Sequence, residues 1–358
     1  MKKINVLSVF DGISGGFIAL ERAGIEVNNY FASEIDKYAI PVSTKNYPDI
    51  VRLGDIKNWK EWDIDWSSIN LVLAGSPCQG FSFSGKQLAF DDPRSKLFFV
   101  FLDILNHIKN INPNVKFLLE NVRMKKEYSD VITNCLGVEF IEINSNLVSA
   151  QNRKRLYWAN WKISPPEDKK ITWGDIRERG VDSECYYYTE KALQWLARHS
   201  RRKHKILSVH SNEEKMQMIE ASHYKKYSFQ RFFGIVDLPK NEQVVAAMRG
   251  RYLINNKRQD GKMLTKGKTQ QYIEFRYDGK TNALTTVSKD NVVVPFTLPN
   301  RIPANEFFFR YITPLECERL QTVPEGYTEG ASNSQKYKML GNGWTIDVIS
   351  HIFKGLLE

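Results

Sequence analysis

Cysteine is scarce: the 358 residues hold four, Cys78, Cys135, Cys185 and Cys317. No two stand at the short spacing of a zinc or iron–sulfur ligand set, so no metal is expected. Scattered, unpaired thiols exclude a disulfide scaffold and imply a reducing compartment, the cytoplasm. No window of about 18 apolar residues occurs, which excludes a membrane span. Internal repeats and low-complexity tracts are lacking as well. The two lysines ahead of INVLSVF look like the start of a leader, but Asp11 cuts the apolar stretch short. No small-residue cleavage site follows, so the stretch reads as a first strand. What is present fits a folded protein, with 42% hydrophobic and 12% aromatic residues. The length allows one large α/β domain and a second, smaller one.

The net charge of +10 is unevenly placed. Residues 164–309 carry 26 Lys and Arg against 17 Asp and Glu, which leaves the rest of the chain nearly neutral. A basic excess confined to one segment points to a polyanionic partner handled there. A solvated basic face is the plainer alternative.

Residues 1–163 alternate β-branched runs with amphipathic stretches. INVLSVF, NNYFASE, LVLAG, VKFLLENV and LYWANW read as strands, and GFIALERAG and RSKLFFVFLDILNHIKNI as helices. Such alternation implies a mostly parallel sheet, whose ligands sit beyond the carboxyl ends of the strands. The polar oddities fall at those ends: Asp11 and Gly12, Glu34, Asp55, Cys78, Glu120. After SPPEDKK the register breaks into basic clusters and a β-rich stretch, read as a separate domain. From RYITPLECERLQTVP the chain is regular again, and GNGWTIDVISHIFKGLL reads as a loop and a closing helix.

FDGISGG is a strand-to-helix turn that brings backbone N–H groups close to a ligand. Glu34, about 20 residues on, suits ribose hydroxyls, and Asp55 an adenine amine. Without a pyrophosphate-type third glycine, the turn favours an adenosyl ligand lacking phosphates. Cys78 follows Pro77 in a loop of glycine and serine, a place for a reactive thiolate rather than a packed hydrophobe. Gln79, Ser82, Ser84, Lys86 and Arg94 suit a loop that touches phosphates. Glu120 could serve as the proton partner of such a nucleophile. Arg153 and Arg155 share one face of a strand, where either could hold a carbonyl oxygen or a phosphate; a surface salt-bridge pair is the alternative.

In order, FDGISGG, Glu34, GDI, GSPCQGFS, ENV, QNRKR, RYITPLECERLQTVP and GNGW resemble the DNA cytosine-5 methyltransferases of bacteria and phages. The first motif is similar to that of the animal de novo enzymes, with Ser14 at the second glycine of the family's F-x-G-x-G turn. The resemblance implies a Rossmann-like S-adenosylmethionine-dependent methyltransferase domain, a mixed, mostly parallel sheet flanked by helices, over 1–163 and 336–358. It implies a smaller, irregular β-rich target-recognition domain over 164–335. It also implies that Phe10, Asp11, Gly12, Ile13 and Ser14 lie along S-adenosylmethionine, that Glu34 takes the ribose, and that Ile35, Asp55 and Ile56 meet the adenine. Gly75, Pro77, Leu97, Asn342, Gly343 and Trp344 complete that pocket. The expected chemistry is methyl transfer to C5 of a flipped-out cytosine in a short duplex sequence, yielding S-adenosylhomocysteine. Cys78 would add to C6, Glu120 would bond N3 and the exocyclic amine, Arg155 would hold O2, and Arg153 would brace the site.

Within the basic segment, MRGRY and ALTTV are the groove-facing candidates, with Arg249 and Arg251 as guanine readers. The expected partner is double-stranded DNA, bound by a monomer, with a cognate restriction endonuclease left open. A tRNA cytosine-5 methyltransferase is the nearest alternative, though that branch has a small recognition domain. A catalytically silent DNA-binding relative is the other.

Overall fold

The computed structural model describes residues 3–75, 96–178, 181 and 312–357 with their side chains. It also describes the backbone of strands at 235–236, 243–251, 253–254, 257–258, 270–275, 281–282, 292–295 and 309–310. The chain forms two compact units, one of residues 1–144, 154–166 and 343–358, the other of residues 145–153 and 167–342.

The first unit is built on a seven-stranded sheet. In chain order its strands are β1 (Ile4–Val9), β2 (Val27–Ser33), β3 (Val51–Arg52), β4 (Ile69–Gly75), β5 (Lys116–Val122) and β6 (Phe140–Asn144). The two-residue strand β7 (Gln151–Asn152) belongs to the second unit, and β8 (Lys154–Ala159) completes the sheet. The spatial order is β3-β2-β1-β4-β5-β8-β6. β1 to β5 pair parallel, whereas β8 runs antiparallel to both β5 and β6. Strands β1, β4 and β5 are apolar on both faces because both are covered. One face, carrying Leu7, Val9, Val72, Ala74, Phe117 and Leu119, packs with α3 (Lys96–Ile111) and α4 (Lys126–Leu136). On α3, Phe98, Phe101, Ile104, Leu105 and Ile108 recur at helical spacing and are fully buried. Burial of each side chain stabilises the fold by about 1.5–3 kcal/mol.

The opposite face carries Leu73 and meets α1 (Gly15–Ala23), which packs on the closing helix α8 (Ile346–Lys354). Arg22 and Asp347 pair across those helices at 2.7 Å. Gly16 permits this approach: a Cβ there would stand 2.7 Å from Leu73 Cδ1 and 2.8 Å from Tyr30 Oη. The sequence reading placed five of these strands and missed two. β3 is two residues long, and β6 is a half-exposed edge strand whose FIEIN pattern is short.

In the second unit, α6 (Pro314–Leu320) and α7 (Asn333–Asn342) follow the short helix α5 (Trp173–Ile176). The first two residues of GNGW, Gly341 and Asn342, end α7, so the loop begins only at Gly343. Residues 145–153 join this unit through side chains. Ser149 Oγ and Gln151 Nε2 each donate to the Leu320 carbonyl at 2.6 Å, and Gln151 Nε2 also reaches Gln321 Oε1 at 2.7 Å. Gln321 Nε2 then donates to the Leu340 carbonyl at 2.6 Å. These bonds tie residues 145–153 into the second unit, a link between positions too remote to leave a local pattern.

A three-stranded antiparallel sheet sets strand 243–251 between strands 270–275 and 292–295. The two ends of the segment between Glu178 and Ile312 are stapled together. Thr313 Oγ1 donates to Glu178 Oε2 at 2.7 Å, and the Glu178 amide donates to Glu316 Oε1 at 2.9 Å. Thr313 and Glu316 also form a capping box at the start of α6.

Two substitutions test this packing by urea denaturation. Gly16→Ala is expected to cost about 1–3 kcal/mol through overpacking. Gln321→Leu, which leaves the buried Gln151 amide and Leu340 carbonyl short of a partner, is expected to cost about 1–3 kcal/mol.

Candidate active site

The turn after β1 has an unusual backbone. Phe10, Gly12 and Ser14 all have φ near +59°, the left-handed region. That conformation costs a non-glycine residue about 1 kcal/mol, so Phe10 and Ser14 must be held there by other contacts. Ser14 occupies the N-cap position of α1, yet its hydroxyl makes no cap bond. It donates instead to Asp11 Oδ2 and meets Ser43 Oγ. Asp11 is buried and also accepts from Tyr30 Oη at 2.8 Å. Burial pushes the Asp11 carboxyl above the usual carboxylate range, against the opposing pull of hydrogen bonds from Ser14, Ser8 and Tyr30 and the charge of Arg52. Asp11 and Ser14 therefore point into the protein beneath the turn. Ile13 is buried too, while Phe10 and Gly12 are partly exposed.

Glu34, just past β2, is joined to this turn. Its Oε2 accepts the Gly12 amide at 2.7 Å, and its Oε1 accepts the amides of Ile35 and Asp36 at 2.7 and 2.8 Å. Beside it Ile35 is 69% exposed, which is unusual for a large apolar side chain. Asp55 caps a short 3-10 helix by accepting the Lys57 amide at 3.0 Å, and Ile56 behind it is buried. Leu97, in the first turn of α3, packs on the core. Trp344 lies over the end of β4, where a Cβ on Gly75 would come within 2.9 Å of its indole nitrogen. Asn342 is exposed and Gly343 partly so.

The second cluster lies where β4, β5 and β8 meet. Gly75 is the register partner of Glu120, and Glu120 that of Tyr157. Because β8 is antiparallel, it begins where β5 ends, and Arg155 stands opposite Val122. Glu120 and Arg155 are thus diagonal neighbours, a spacing that long side chains bridge. Arg155 Nε lies 2.9 Å from Glu120 Oε1, close enough for an ion pair, although its N–H is not aimed along that line. Arg155 Nη1 donates to the Lys154 carbonyl at 2.9 Å. Glu120 is buried, so the pair is mostly shielded from solvent. Arg153, also buried, donates from Nη1 to the Gly341 carbonyl at 3.2 Å, in the last turn of α7. A cation there suits the negative end of the helix.

Pro77, Cys78, Gln79, Ser82, Ser84, Lys86 and Arg94 lie outside the described residues. Arg249 and Arg251 lie on strand 243–251, opposite Tyr272 and Gln270. Among the described residues no group of His, Cys, Asp and Glu is arranged to hold a metal, and no helix is long and apolar enough to cross a membrane. Sequence reasoning missed Tyr30, Ser43, Arg52 and Gln151. No motif marks the first three, whereas Gln151, at the head of Q-x-R-x-R, had a signal in its alternation with Arg153 and Arg155.

The sequence profile of the C-5 cytosine-specific DNA methylases matches residues 4–358. The chain is 29% identical over 383 residues to the Type II methyltransferase M1.ScrFI of Lactococcus lactis subsp. cremoris, spanning 99% of this chain and 78% of that protein. It is 25% identical over 454 residues to the orphan methyltransferase M.SPRI of Bacillus phage SPR, spanning 100% and 98%. Among solved structures, the Entamoeba histolytica methyltransferase EhMeth shares the fold with a TM-score of 0.63 at 17% identity, over 100% of this chain and 98% of that one. With motifs in family order on a methyltransferase sheet, and a profile match over nearly its whole length, this chain belongs to the C-5 cytosine-specific DNA methylase family.

Proposed function

We propose that this protein methylates C5 of a flipped-out cytosine in a short, specific sequence of duplex DNA, using S-adenosylmethionine and a covalent Cys78–C6 adduct. The observation that carries the reading is the Glu120–Arg155 pair, a buried acceptor and a half-buried cation side by side at the carboxyl edge of the sheet. Gly75, the register partner of Glu120, is three residues before Cys78, a separation the chain spans in at most about 10 Å.

The residues after β1 and β2 fit an adenosyl cofactor. Glu34 keeps a lone pair on Oε2 for a ribose hydroxyl, because a carboxylate has about four acceptor sites and three amides engage it. The exposed Ile35 offers an apolar surface for a flat ring. Phe10, Gly12, Ile13, Glu34, Ile35, Asp55, Ile56, Gly75, Pro77, Leu97, Asn342, Gly343 and Trp344 would hold the cofactor, which supplies an electrophilic methyl group. Asp11 and Ser14 would act from beneath the turn.

The remaining chemistry belongs to the chain. The Cys78 thiolate adds to C6, which makes C5 electron-rich. Glu120 bonds N3 and the exocyclic amine, and Arg155 holds O2, so charge developing on the ring is met by groups already in place. Arg153, which donates to the Gly341 carbonyl, would brace Glu120 or the catalytic loop. Loss of the C5 proton and elimination of Cys78 release the product. Residues 164–335 serve as the target-recognition region, with Arg249 and Arg251 reading guanines and Gln79, Ser82, Ser84, Lys86 and Arg94 contacting DNA from the catalytic loop. The protein acts as a monomer in the cytoplasm of a bacterial or phage-infected cell. Relatives of both the Type II and the orphan kind leave a companion endonuclease open.

Single-base methylation sequencing of plasmid DNA from a methylation-free bacterium expressing this chain tests the proposal. 5-Methylcytosine at one short repeated context is expected; unmodified plasmid alongside methylated RNA would refute it. Cys78→Ser should abolish turnover, and Glu120→Gln or Arg155→Ala should lower kcat by about 10²–10³-fold. For recognition, Arg249→Ala with Arg251→Ala should relax the methylated sequence, each lost guanine contact weakening discrimination by about 1–3 kcal/mol. An unchanged sequence and affinity would remove those two arginines from the reading face.

A further inference from the structure

Beneath the glycine-rich turn, polar side chains from three other elements converge on Asp11 and Ser14. Ser43, from α2 (Ala39–Asn46), is fully buried, and its hydroxyl meets that of Ser14. Arg52, from β3, donates from Nη2 to Ser43 Oγ at 2.7 Å. Its Nη1 lies 3.7 Å from Asp11 Oδ2, an ionic contact too long for a hydrogen bond. Tyr30, from β2, closes the network on Asp11 Oδ1. Arg52 Nε and Nη1 are buried and lack hydrogen-bond partners, so the guanidinium is held by one bond and by the charge opposite it.

The arrangement exceeds what packing requires. The Ser14 hydroxyl, free to cap α1, is spent on this network, in a residue kept at a left-handed φ. The turn it fixes presents the Gly12 amide to Glu34. Arg52 is the register partner of Ala32, two residues before Glu34, and stands three residues before Asp55. One connected set of bonds therefore reaches the turn, the ribose carboxylate and the stretch leading to the adenine carboxylate.

We propose that Ser43 and Arg52 are positioning residues for the cofactor site, holding the 10–14 turn in its binding shape through Ser14 and Asp11. The inference rests on the reading that this turn and Glu34 bind S-adenosylmethionine. Neither side chain touches the cofactor. Their effect is to fix the geometry before binding, so that ordering the turn is not charged against affinity.

Calorimetric titration of full-length Ser43→Ala and Arg52→Met with S-adenosylmethionine tests the idea, beside the unsubstituted protein and Ile132→Ala. Ile132 lies buried on α4 and makes none of the bonds of this network, so its truncation is expected to lower stability alone. Ser43→Ala and Arg52→Met are expected to weaken binding about tenfold or more, the loss that goes with a charge-assisted hydrogen bond. They should also raise KM for S-adenosylmethionine while kcat at saturation stays within about threefold. Should Arg52→Met not fold, Arg52→Lys, which keeps the charge and loses the planar fork, carries the same expectation. Unchanged affinity in folded Ser43→Ala and Arg52 variants, with only a lowered melting temperature like that of Ile132→Ala, overturns the proposal. Absence of binding by the unsubstituted protein overturns the reading beneath it as well, which separates the two failures.

Discussion

The cluster of Gly75, Glu120 and Arg155 depends on the register in which β4, β5 and β8 are hydrogen-bonded. Parallel pairing brings the ends of β1, β2, β4 and β5 to one edge of the sheet, and antiparallel β8 arrives there with its beginning. Gly75, Glu120 and Arg155 are neighbours for that reason alone. A slip of one residue in β8 would send Arg155 to the opposite face, because side chains alternate. The buried Trp158, packed in the α3 side of the core, opposes such a slip. Hydrophobic packing along the strands thus sets the position of an ion pair at their end.

The turn after β1 follows a second rule, in which local strain is offset by remote bonds. Phe10 and Ser14 adopt a conformation that glycine adopts freely, and between them Asp11 and Ser14 are bonded to side chains from β2 and α2. Asp11 shows the cost of this design, since its burial disfavours the charged form that Arg52 attracts. The left-handed φ at Ser14 also explains why glycine suits the corresponding place in an F-x-G-x-G turn.

Much of the first unit was legible in the sequence because its signals are local. The apolar runs of β1, β4 and β5, the 3.6-residue stripe of α3 and the glycines flanking α1 depend on near neighbours. Glu34 and Glu120 stand out in the sequence because strand ends are where parallel sheets place polar residues, and Arg155 because it alternates with Arg153 ahead of an apolar strand. The Asp11–Ser14–Ser43–Arg52 network was not, because it joins side chains up to 41 positions apart in sequence without a shared pattern. The Ser149 and Gln151 clamps on Leu320 and Gln321 span about 170 positions and were hidden for the same reason. The buried bonds of Ser14 and Asp11 were equally hidden, because a sequence says which residues form a turn and not which way they point.

The staple between Glu178, Thr313 and Glu316 ties together the two ends of a long stretch of the chain. It closes the gap at the base of the inserted segment, and Gln321 and Arg153 fasten the chain again just beyond it. The two flanks of that stretch are therefore bound directly to each other. A substitution within that stretch removes none of these bonds, because every partner lies at or beyond its ends.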